Sequence, residues 1–143
     1  MASKVFLDAN FLLDLSLQRA GFADAKSVMQ LSIAGEIELV TTPAVLHITG
    51  YFITKAYNRQ VSKQLLLALL NDVQVIDCNH STALMAIHSS IADIEDALQY
   101  YTALTHKADY FISSDAELKK AALPQLPVYT AAAFVAAWEK GGL

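Results

Sequence analysis

The feature that most constrains the fold is the alternation of short apolar segments with longer amphipathic segments along the chain. Five short runs rich in β-branched and aromatic residues are predicted as strands, and they cover residues 5–8, 37–41, 73–76, 109–113 and 127–129. Helical segments separate them. Strands that alternate with helices favour a parallel sheet covered on both faces. We therefore predict a three-layer α/β/α domain with a central five-stranded parallel sheet.

The predicted helices follow from the spacing of apolar residues and from the residues at the helix ends. Gly21 and Gly35 separate or end the early helices, and Thr42-Pro43 has the form of an N-cap followed by proline at the first helical position. The predicted helices cover residues 10–17, 22–34, 43–57, 61–70, 81–90, 94–107, 116–121 and 131–140. Within the fourth helix, the run Leu65-Leu66-Leu67 indicates burial on several sides.

Composition indicates one folded domain that spans residues 1–143, because the chain has no repeat, linker or low-complexity tract. Hydrophobic residues make up 55% and charged residues 17%, which argues against disorder and favours an apolar subunit interface. The formal net charge of −4 argues against binding nucleic acid through a broad basic face. It does not exclude an enzyme whose bound metal ions supply positive charge.

Cysteine content and hydropathy predict a cytoplasmic location. The single cysteine, Cys78, excludes an internal disulfide framework and is interpreted as a small buried apolar residue in a reducing compartment. No N-terminal segment resembles a signal peptide. The longest apolar stretches are too short or too interrupted to span a bilayer, so we expect no membrane association.

Three acidic residues, far apart in sequence, are expected at one edge of the sheet. In a parallel α/β sheet, the carboxyl ends of strands and the starts of the following helices share an edge where ligands bind. Asp8 ends the first predicted strand, and Asp115 follows the fourth. Asp96 lies in the first turn of the helix before that fourth strand, with Asp93 and Glu95 close by. Topology therefore predicts that Asp8, Asp96 and Asp115 meet.

Such a cluster predicts a divalent metal site. Carboxylates about 5–6 Å apart repel by roughly 3 kcal/mol per pair at an effective dielectric of about 20. A fold retains them when protons or a cation relieve the repulsion. Oxygen ligands without histidine or cysteine suit Mg²⁺ or Mn²⁺ rather than Zn²⁺. Carboxylate-bound Mg²⁺ is typical of enzymes that cut or transfer phosphoryl groups.

Several segments resemble the PIN domain family. Residues 5–15 have the family's hydrophobic-Asp-x-Asn-hydrophobic opening, Val-Phe-Leu-Asp-Ala-Asn-Phe-Leu-Leu-Asp-Leu. Residues 93–100, Asp-Ile-Glu-Asp-Ala-Leu-Gln-Tyr, are similar to a segment of one PIN branch. Residues 108–115, Ala-Asp-Tyr-Phe-Ile-Ser-Ser-Asp, resemble the family's strand ending in Thr-x-Asp or Thr-x-Asn. With the ending Leu-Pro-Val-Tyr-Thr at 126–130, the resemblance extends from about Val5 to Phe134.

The resemblance implies a function. PIN domains are ribonucleases that depend on Mg²⁺ or Mn²⁺, and many small bacterial and archaeal members are VapC-like toxins of toxin–antitoxin pairs. It therefore implies an endoribonuclease that cleaves RNA phosphodiesters, a small antitoxin as partner, and a homodimer.

The resemblance also assigns roles to individual residues. Asp8, Asp96 and Asp115 would be the catalytic, metal-binding acids. Glu95 would be an accessory acid and Ser113 an accessory residue, while Asn10 would orient Asp8 through a hydrogen bond.

One segment departs from the family pattern. Most PIN nucleases have a glutamate in the helix after the second strand, and this branch often has asparagine there. Residues 44–50 contain no acid, so His47 or Thr49 is expected to take that place and to hold a metal-bound water. The departure leaves open a second hypothesis, a non-catalytic PIN-fold module that binds nucleic acid or protein. A third hypothesis is phosphotransfer through an aspartyl phosphate at Asp8. Such folds have a second acid beside the first or two residues after it, and a lysine near the chain end, and the residues Asn10 and Ser113-Ser114-Asp115 fit them poorly.

Simpler interpretations of these residues also remain open. Asp8, Asp93 and Asp115 each stand where an N-cap would start the next helix, and Asp93-x-x-Asp96 has the spacing of a capping box. His47 is also consistent with a partly buried structural histidine. Asp14 is interpreted as solvated surface. For the basic residues Arg19, Lys55 and Arg59, contact with phosphates near this edge is one hypothesis, and a solvated surface is the favoured interpretation.

Overall fold

The computed structural model describes residues 2–143, which form a sheet of five strands, all parallel. The strands are β1 (Ser3–Leu7), β2 (Ile37–Thr41), β3 (Val73–Val75), β4 (Tyr110–Ile112) and β5 (Val128–Tyr129). Their spatial order is β3-β2-β1-β4-β5, so β1 is central and the chain extends the sheet first on one side of it and then on the other. The predicted α/β class and the five-stranded parallel sheet are confirmed.

Helices connect these strands and cover the sheet. Those in the described residues are α1 (Ala9–Ser16), α2 (Phe22–Ile33), α3 (Pro43–Ala56), α4 (Arg59–Leu69), α5 (His80–His88), α6 (Ile94–Thr105), α7 (Ala116–Ala121) and α8 (Ala131–Glu139). Every one except α2 begins after an Asp, Asn or Thr whose side-chain oxygen accepts a backbone N–H of the first turn. No helix within residues 2–143 is long and apolar enough to cross a bilayer.

Element boundaries differ from the predicted ones where capping or backbone conformation decides them. Strand β1 ends at Leu7 rather than Asp8, because Asp8 leaves the ladder to cap α1. Helix α4 starts two residues earlier than predicted, because the Asn58 side chain accepts the N–H of Val61 at 2.8 Å. Helix α6 ends before Lys107, whose φ of 59° is left-handed and incompatible with a continued helix.

The core forms around the central strand. Val5, Phe6 and Leu7 are all fully buried, as expected for a strand covered on both faces. The Phe6 ring stacks on that of Phe111 in the neighbouring strand β4, with centroids 4.7 Å apart. Tyr100 on α6 packs against Phe111 from the helical layer at 5.7 Å. These contacts hold α6 and β4 in fixed positions relative to the end of β1.

Two expectations about burial are wrong. Leu65 and Leu66 are only partly buried and Leu67 is 67% exposed, because α4 packs on α3 with one face and leaves the other open. Cys78 is exposed rather than buried, because it lies in the loop after the edge strand β3. Both errors concern segments at the margin of the sheet, where a run of apolar residues is not covered on every side.

The buried hydroxyl of Tyr100 generates a prediction about stability. It donates to the carbonyl of Leu126 at 2.7 Å and accepts the N–H of Leu123 at 2.7 Å, so it ties α6 to the loop before β5. Tyr100→Phe leaves both backbone groups without that partner and should lower the free energy of unfolding by about 1–3 kcal/mol in urea denaturation. The matched control, Tyr101→Phe, removes a hydroxyl from the adjacent, partly buried ring and should have a smaller effect. Equal effects of the two variants would contradict this assignment.

Candidate active site

The predicted convergence of acids occurs at the carboxyl edge of the two central strands. Leu7 of β1 pairs with Ile112 of β4, so the residues that follow each strand emerge side by side. Asp8 follows β1, Asp115 follows β4, and Asp96 lies in the first turn of α6. All three acids, together with Glu95 and Ser113, line one cavity of about 250 Å³, which we call the acid cavity.

Two of these acids are oriented by the helices that they cap. Asp8 Oδ1 accepts the N–H of Phe11 at 3.0 Å, and Asp115 Oδ1 accepts the N–H groups of Glu117 at 2.9 Å and Leu118 at 3.3 Å. In both residues Oδ2 makes no contact with the helix N-terminus that Oδ1 caps. The capping interpretation is therefore correct, and it is compatible with a second role because it fixes each carboxylate while leaving an oxygen available.

Asp93 is also an N-cap, as the simpler interpretation expected. Its Oδ1 accepts the N–H of Asp96 at 2.9 Å, and the residue is exposed. Asp93 lines a second, larger cavity of about 440 Å³, which also contacts Asp96, Asp115 and Lys120. Asp96 and Asp115 thus stand between two cavities.

Ser113 joins the two strand-end acids. It is 5% exposed, and its Oγ accepts the N–H of Asp115 at 3.1 Å. The same hydroxyl forms a hydrogen bond with the Asp8 carboxylate, which favours the ionised acid. Ser113 therefore helps to hold Asp8 and Asp115 in a fixed relation.

Burial raises the pKa of Asp8 from 3.8 to about 6. The N–H of Phe11 and the hydroxyl of Ser113 lower this pKa, but they do not offset the loss of solvent. The negative charges of Glu95 and Asp14 also contribute to the increase to about 6. Asp8 therefore carries its charge at neutral pH in an environment that disfavours it.

The other acids share a proton. Burial, together with hydrogen bonds to Asp115 and Glu95, raises the pKa of Asp96 from 3.8 to about 8. The same hydrogen bond from Asp96 lowers the pKa of Asp115, while burial raises that of Glu95. The raised pKa of Asp96 and the lowered pKa of Asp115 favour a proton on Asp96 that is donated to Asp115, and this proton relieves the repulsion expected from the sequence.

The donor atoms fit a hard divalent cation. Carboxylate oxygens of Asp93, Glu95 and Asp96 lie within 4.8 Å of one another, which is within the span of one ion's ligands. Asp8 and Asp115 line the same acid cavity but lie outside this tight group. Among the described residues that line the acid cavity there is no histidine, cysteine, lysine or arginine. Oxygen donors without nitrogen or sulfur suit Mg²⁺ or Mn²⁺.

Helix α3 does not supply the residues expected from it. His47 is exposed and lines a separate groove between α3 and α4. Thr49 is fully buried, and its hydroxyl donates to the carbonyl of Val45 at 2.7 Å. The expectation that either residue replaces the family's acid is therefore wrong. Successive helical residues point about 100° apart, and the two that line the acid cavity from α3 are Ile48 and Phe52.

Asn10 does not orient Asp8 as expected. Asn10 is exposed, and its Oδ1 accepts from Arg19 Nη2 at 3.4 Å, whereas Asp8 is held by Phe11 and Ser113. Asp14 is not a solvated surface residue either. It is partly buried and paired with Arg19 at 2.9 Å.

Sequence reasoning missed Gln99 as a cavity residue. Gln99 is 3% exposed, lines the acid cavity, and accepts a hydrogen bond from the Thr42 hydroxyl at the start of α3. The available signal was its position three residues after Asp96 and four after Glu95, which places all three on one helix face. Gln99 thereby links α6 to the N-terminus of α3.

The raised pKa of Asp8 predicts how stability depends on pH. Because this pKa is about 6 in the fold and 3.8 ordinarily, the folded chain binds a proton more tightly, and ionised Asp8 destabilises the fold above about pH 6. Asp8→Asn removes the charge and keeps a good N-cap. In EDTA at about pH 8 it should raise the free energy of unfolding by about 1–2 kcal/mol, less than the full pKa shift because the group is partly exposed.

This gain should decrease as the pH falls below about 6 and should vanish only below about pH 3, where Asp8 is protonated in both states. Glu38→Gln, which removes an exposed carboxylate on β2, is the control and should show no such trend. A gain from Asp8→Asn that does not change with pH would contradict the assigned cause.

Comparison with known proteins agrees with this fold. The family model of the PIN domain matches residues 4–117. Comparison with curated protein sequences gave no significant match.

Several solved structures are similar to most of the chain. VapBC2 from Rickettsia felis, bound to a DNA fragment from its promoter, has a TM-score of 0.69 at 15% identity and covers 89% of this chain and 98% of its own. VapC20 from Mycobacterium tuberculosis, a toxin that cleaves the sarcin–ricin loop, has a TM-score of 0.65 at 15% identity, covering 85% and 97%. A toxin–antitoxin complex from Klebsiella pneumoniae has a TM-score of 0.66 at 19% identity, covering 89% and 97%. At these identities the structures show a shared fold, and the match to the family model shows that the chain belongs to the PIN domain family.

Proposed function

We propose that this chain is an endoribonuclease that depends on Mg²⁺ or Mn²⁺ and hydrolyses RNA phosphodiester bonds. The observation that carries the proposal is the acid cavity, in which Asp8, Asp96 and Asp115 meet with only oxygen donors around them. Membership of a family of nucleases supports it.

Asp8, Asp96 and Asp115 are the proposed metal ligands, with Glu95 as an accessory acid. The capping contacts leave an oxygen of Asp8 and an oxygen of Asp115 available to a cation. Asp96 would lose its proton when the cation binds. When bound, Mg²⁺ or Mn²⁺ supplies Lewis acidity, which lowers the pKa of water and neutralises charge on a leaving oxygen.

The chain's own residues favour attack by water rather than by a side chain. The Ser113 hydroxyl is engaged by Asp8 and by the N–H of Asp115, and no histidine stands beside it in the acid cavity. Ser113 is thus a positioning residue for the acids.

We also propose that the protein is the toxin of a cytoplasmic toxin–antitoxin pair, forms a homodimer and is covered by a small antitoxin. Two exposed apolar surfaces support a protein partner. One lies on α3 and α4 and includes Tyr51, Tyr57 and Leu67, while the other, on α5, comprises Leu84, Met85 and Ile87 at 48–58% exposure. Two of the similar structures contain toxin–antitoxin complexes.

A non-catalytic PIN-fold binding module is the second candidate function. Ile48 lines the acid cavity from α3, the helix in which most family nucleases carry a glutamate. The acid cavity therefore has one carboxylate fewer than the family pattern implies. Phosphotransfer through Asp8 is less well supported, since Asp8 is followed by Ala9 and Asn10 rather than by another acid.

Loss of the central acids should abolish cleavage without unfolding the chain. Asp8→Asn and Asp96→Asn are each expected to eliminate Mg²⁺- or Mn²⁺-dependent cleavage of single-stranded RNA, because each removes a ligand charge. Thermal unfolding should occur at the same or a higher temperature, because Asp8→Asn relieves repulsion and the amide introduced by Asp96→Asn can still donate a hydrogen bond to a neighbouring carboxylate. Glu117→Gln, which neutralises an exposed acid on α7, is the control and should retain activity. Cleavage retained in both acid variants would reject the assignment.

Mn²⁺ binding should separate the two candidate functions, and a substitution of Ile48 tests how a carboxylate on α3 changes the affinity. Ile48→Glu adds a fifth carboxylate to the four that line the acid cavity and should tighten Mn²⁺ binding at least about tenfold in calorimetry, since a nearby unit charge interacts by a few kcal/mol. His47→Glu, on the adjacent face of α3, should leave the affinity nearly unchanged. A wild-type chain that binds no Mn²⁺ at millimolar concentration and leaves RNA intact would favour the binding module.

A further inference from the structure

We propose that Arg19 binds a phosphate of the RNA strand at the mouth of the acid cavity, an inference that rests on the proposed ribonuclease function. Arg19 Nε donates to Asp14 Oδ1 at 2.9 Å. Its Nη2 donates to the backbone oxygen of Asn10 at 3.2 Å and to Asn10 Oδ1 at 3.4 Å. Asn10 lines the acid cavity, so these contacts place the guanidinium beside the opening.

The guanidinium is held along one edge and open at the other end. Nε and Nη2 have protein acceptors, whereas Nη1 has no acceptor among residues 2–143. The Arg19 side chain is 42% exposed, so the free end is accessible. A planar guanidinium fixed in orientation is well suited to a phosphate oxygen, because little side-chain entropy is lost on binding.

The backbone after helix α1 folds back so that Arg19 lies against the end of that helix. Gln18 has a left-handed φ of 49°, and the N–H of Arg19 donates to the carbonyl of Asp14 at 3.1 Å. Gly21 follows where a Cβ atom would collide with the Asp14 carboxylate, so glycine leaves room for the Asp14–Arg19 pair.

The negative charge of the acid cavity makes the position of Arg19 important for RNA binding. The acid cavity is lined by Asp8, Glu95, Asp96 and Asp115, and an RNA strand that approaches them is repelled. Within the described residues no cationic side chain lines this cavity, and Lys120 lines only the neighbouring one. Arg19 is the cation that contacts an acid-cavity residue, so it can bind a phosphate next to the one that is cleaved.

Binding of RNA tests the inference independently of cleavage. The probe is a fluorescent single-stranded RNA oligonucleotide, measured by anisotropy in Ca²⁺ at KCl concentrations from about 50 to about 200 mM, with its integrity checked on a gel. Arg19→Gln should weaken binding about 5–20-fold at the lowest salt and reduce the slope of log Kd against log[KCl] by about 0.7, the value for one single-strand phosphate contact. Arg59→Gln, which removes an exposed charge on α4, should change neither quantity by as much.

A conservative variant guards against misfolding. Arg19→Lys keeps the charge but loses the planar fork, so it should bind RNA with an affinity between those of wild type and Arg19→Gln. Arg19→Gln and Arg59→Gln with equal affinities and slopes would show that Arg19 serves only to pair with Asp14, and would overturn the inference.

A small substrate distinguishes failure of this inference from failure of the proposed function. Bis(4-nitrophenyl) phosphate has no neighbouring phosphate for Arg19 to bind. With Mn²⁺, Arg19→Gln should therefore hydrolyse it at nearly the wild-type rate while kcat/KM for RNA falls by the factor seen in binding. A wild-type chain that hydrolyses neither substrate would reject the ribonuclease function. Equal losses on RNA and on the small diester would instead place Arg19 with the acids and contradict its assignment to a neighbouring phosphate.

Discussion

Repulsion among carboxylates at one edge of the sheet is the constraint on which the rest of the site depends. A parallel sheet brings the end of β1, the end of β4 and the start of α6 together, so Asp8, Asp115 and Asp96 share a cavity. Two contributions offset the repulsion: helix N-termini stabilise one oxygen of Asp8 and of Asp115, and a proton remains on Asp96. A divalent cation would provide a third, and stronger, compensation.

The capping contacts and the site chemistry are parts of one arrangement. A short polar residue after a strand starts the next helix, and the same contact holds its carboxylate at the edge of the sheet. Ser113 extends the arrangement by joining Asp8 to the backbone of Asp115. Helix α3 closes the acid cavity with the apolar side chains of Ile48 and Phe52, which makes the cavity poorer in charge than the family pattern implies.

The sequence predicted the features that follow from topology. Alternating strands and helices determined the sheet, and the sheet determined that three distant acids meet. It did not predict features that depend on helix phase or loop conformation. The direction of Ile48 rather than His47 depends on how α3 rotates about its axis, and the contact of Arg19 with Asn10 depends on the left-handed conformation of Gln18. The exposure of Leu67 depends on which faces of α4 remain uncovered.

Crystals soaked in Mn²⁺ offer the most direct test, since anomalous scattering locates the ion without reference to activity. The account predicts one or two Mn²⁺ peaks inside the acid cavity, with carboxylate oxygens of Asp8, Asp96 and Asp115 about 2.0–2.6 Å away. An ion held only by Asp93, Glu95 and Asp96, without Asp8 and Asp115, or no ion at all, would contradict it.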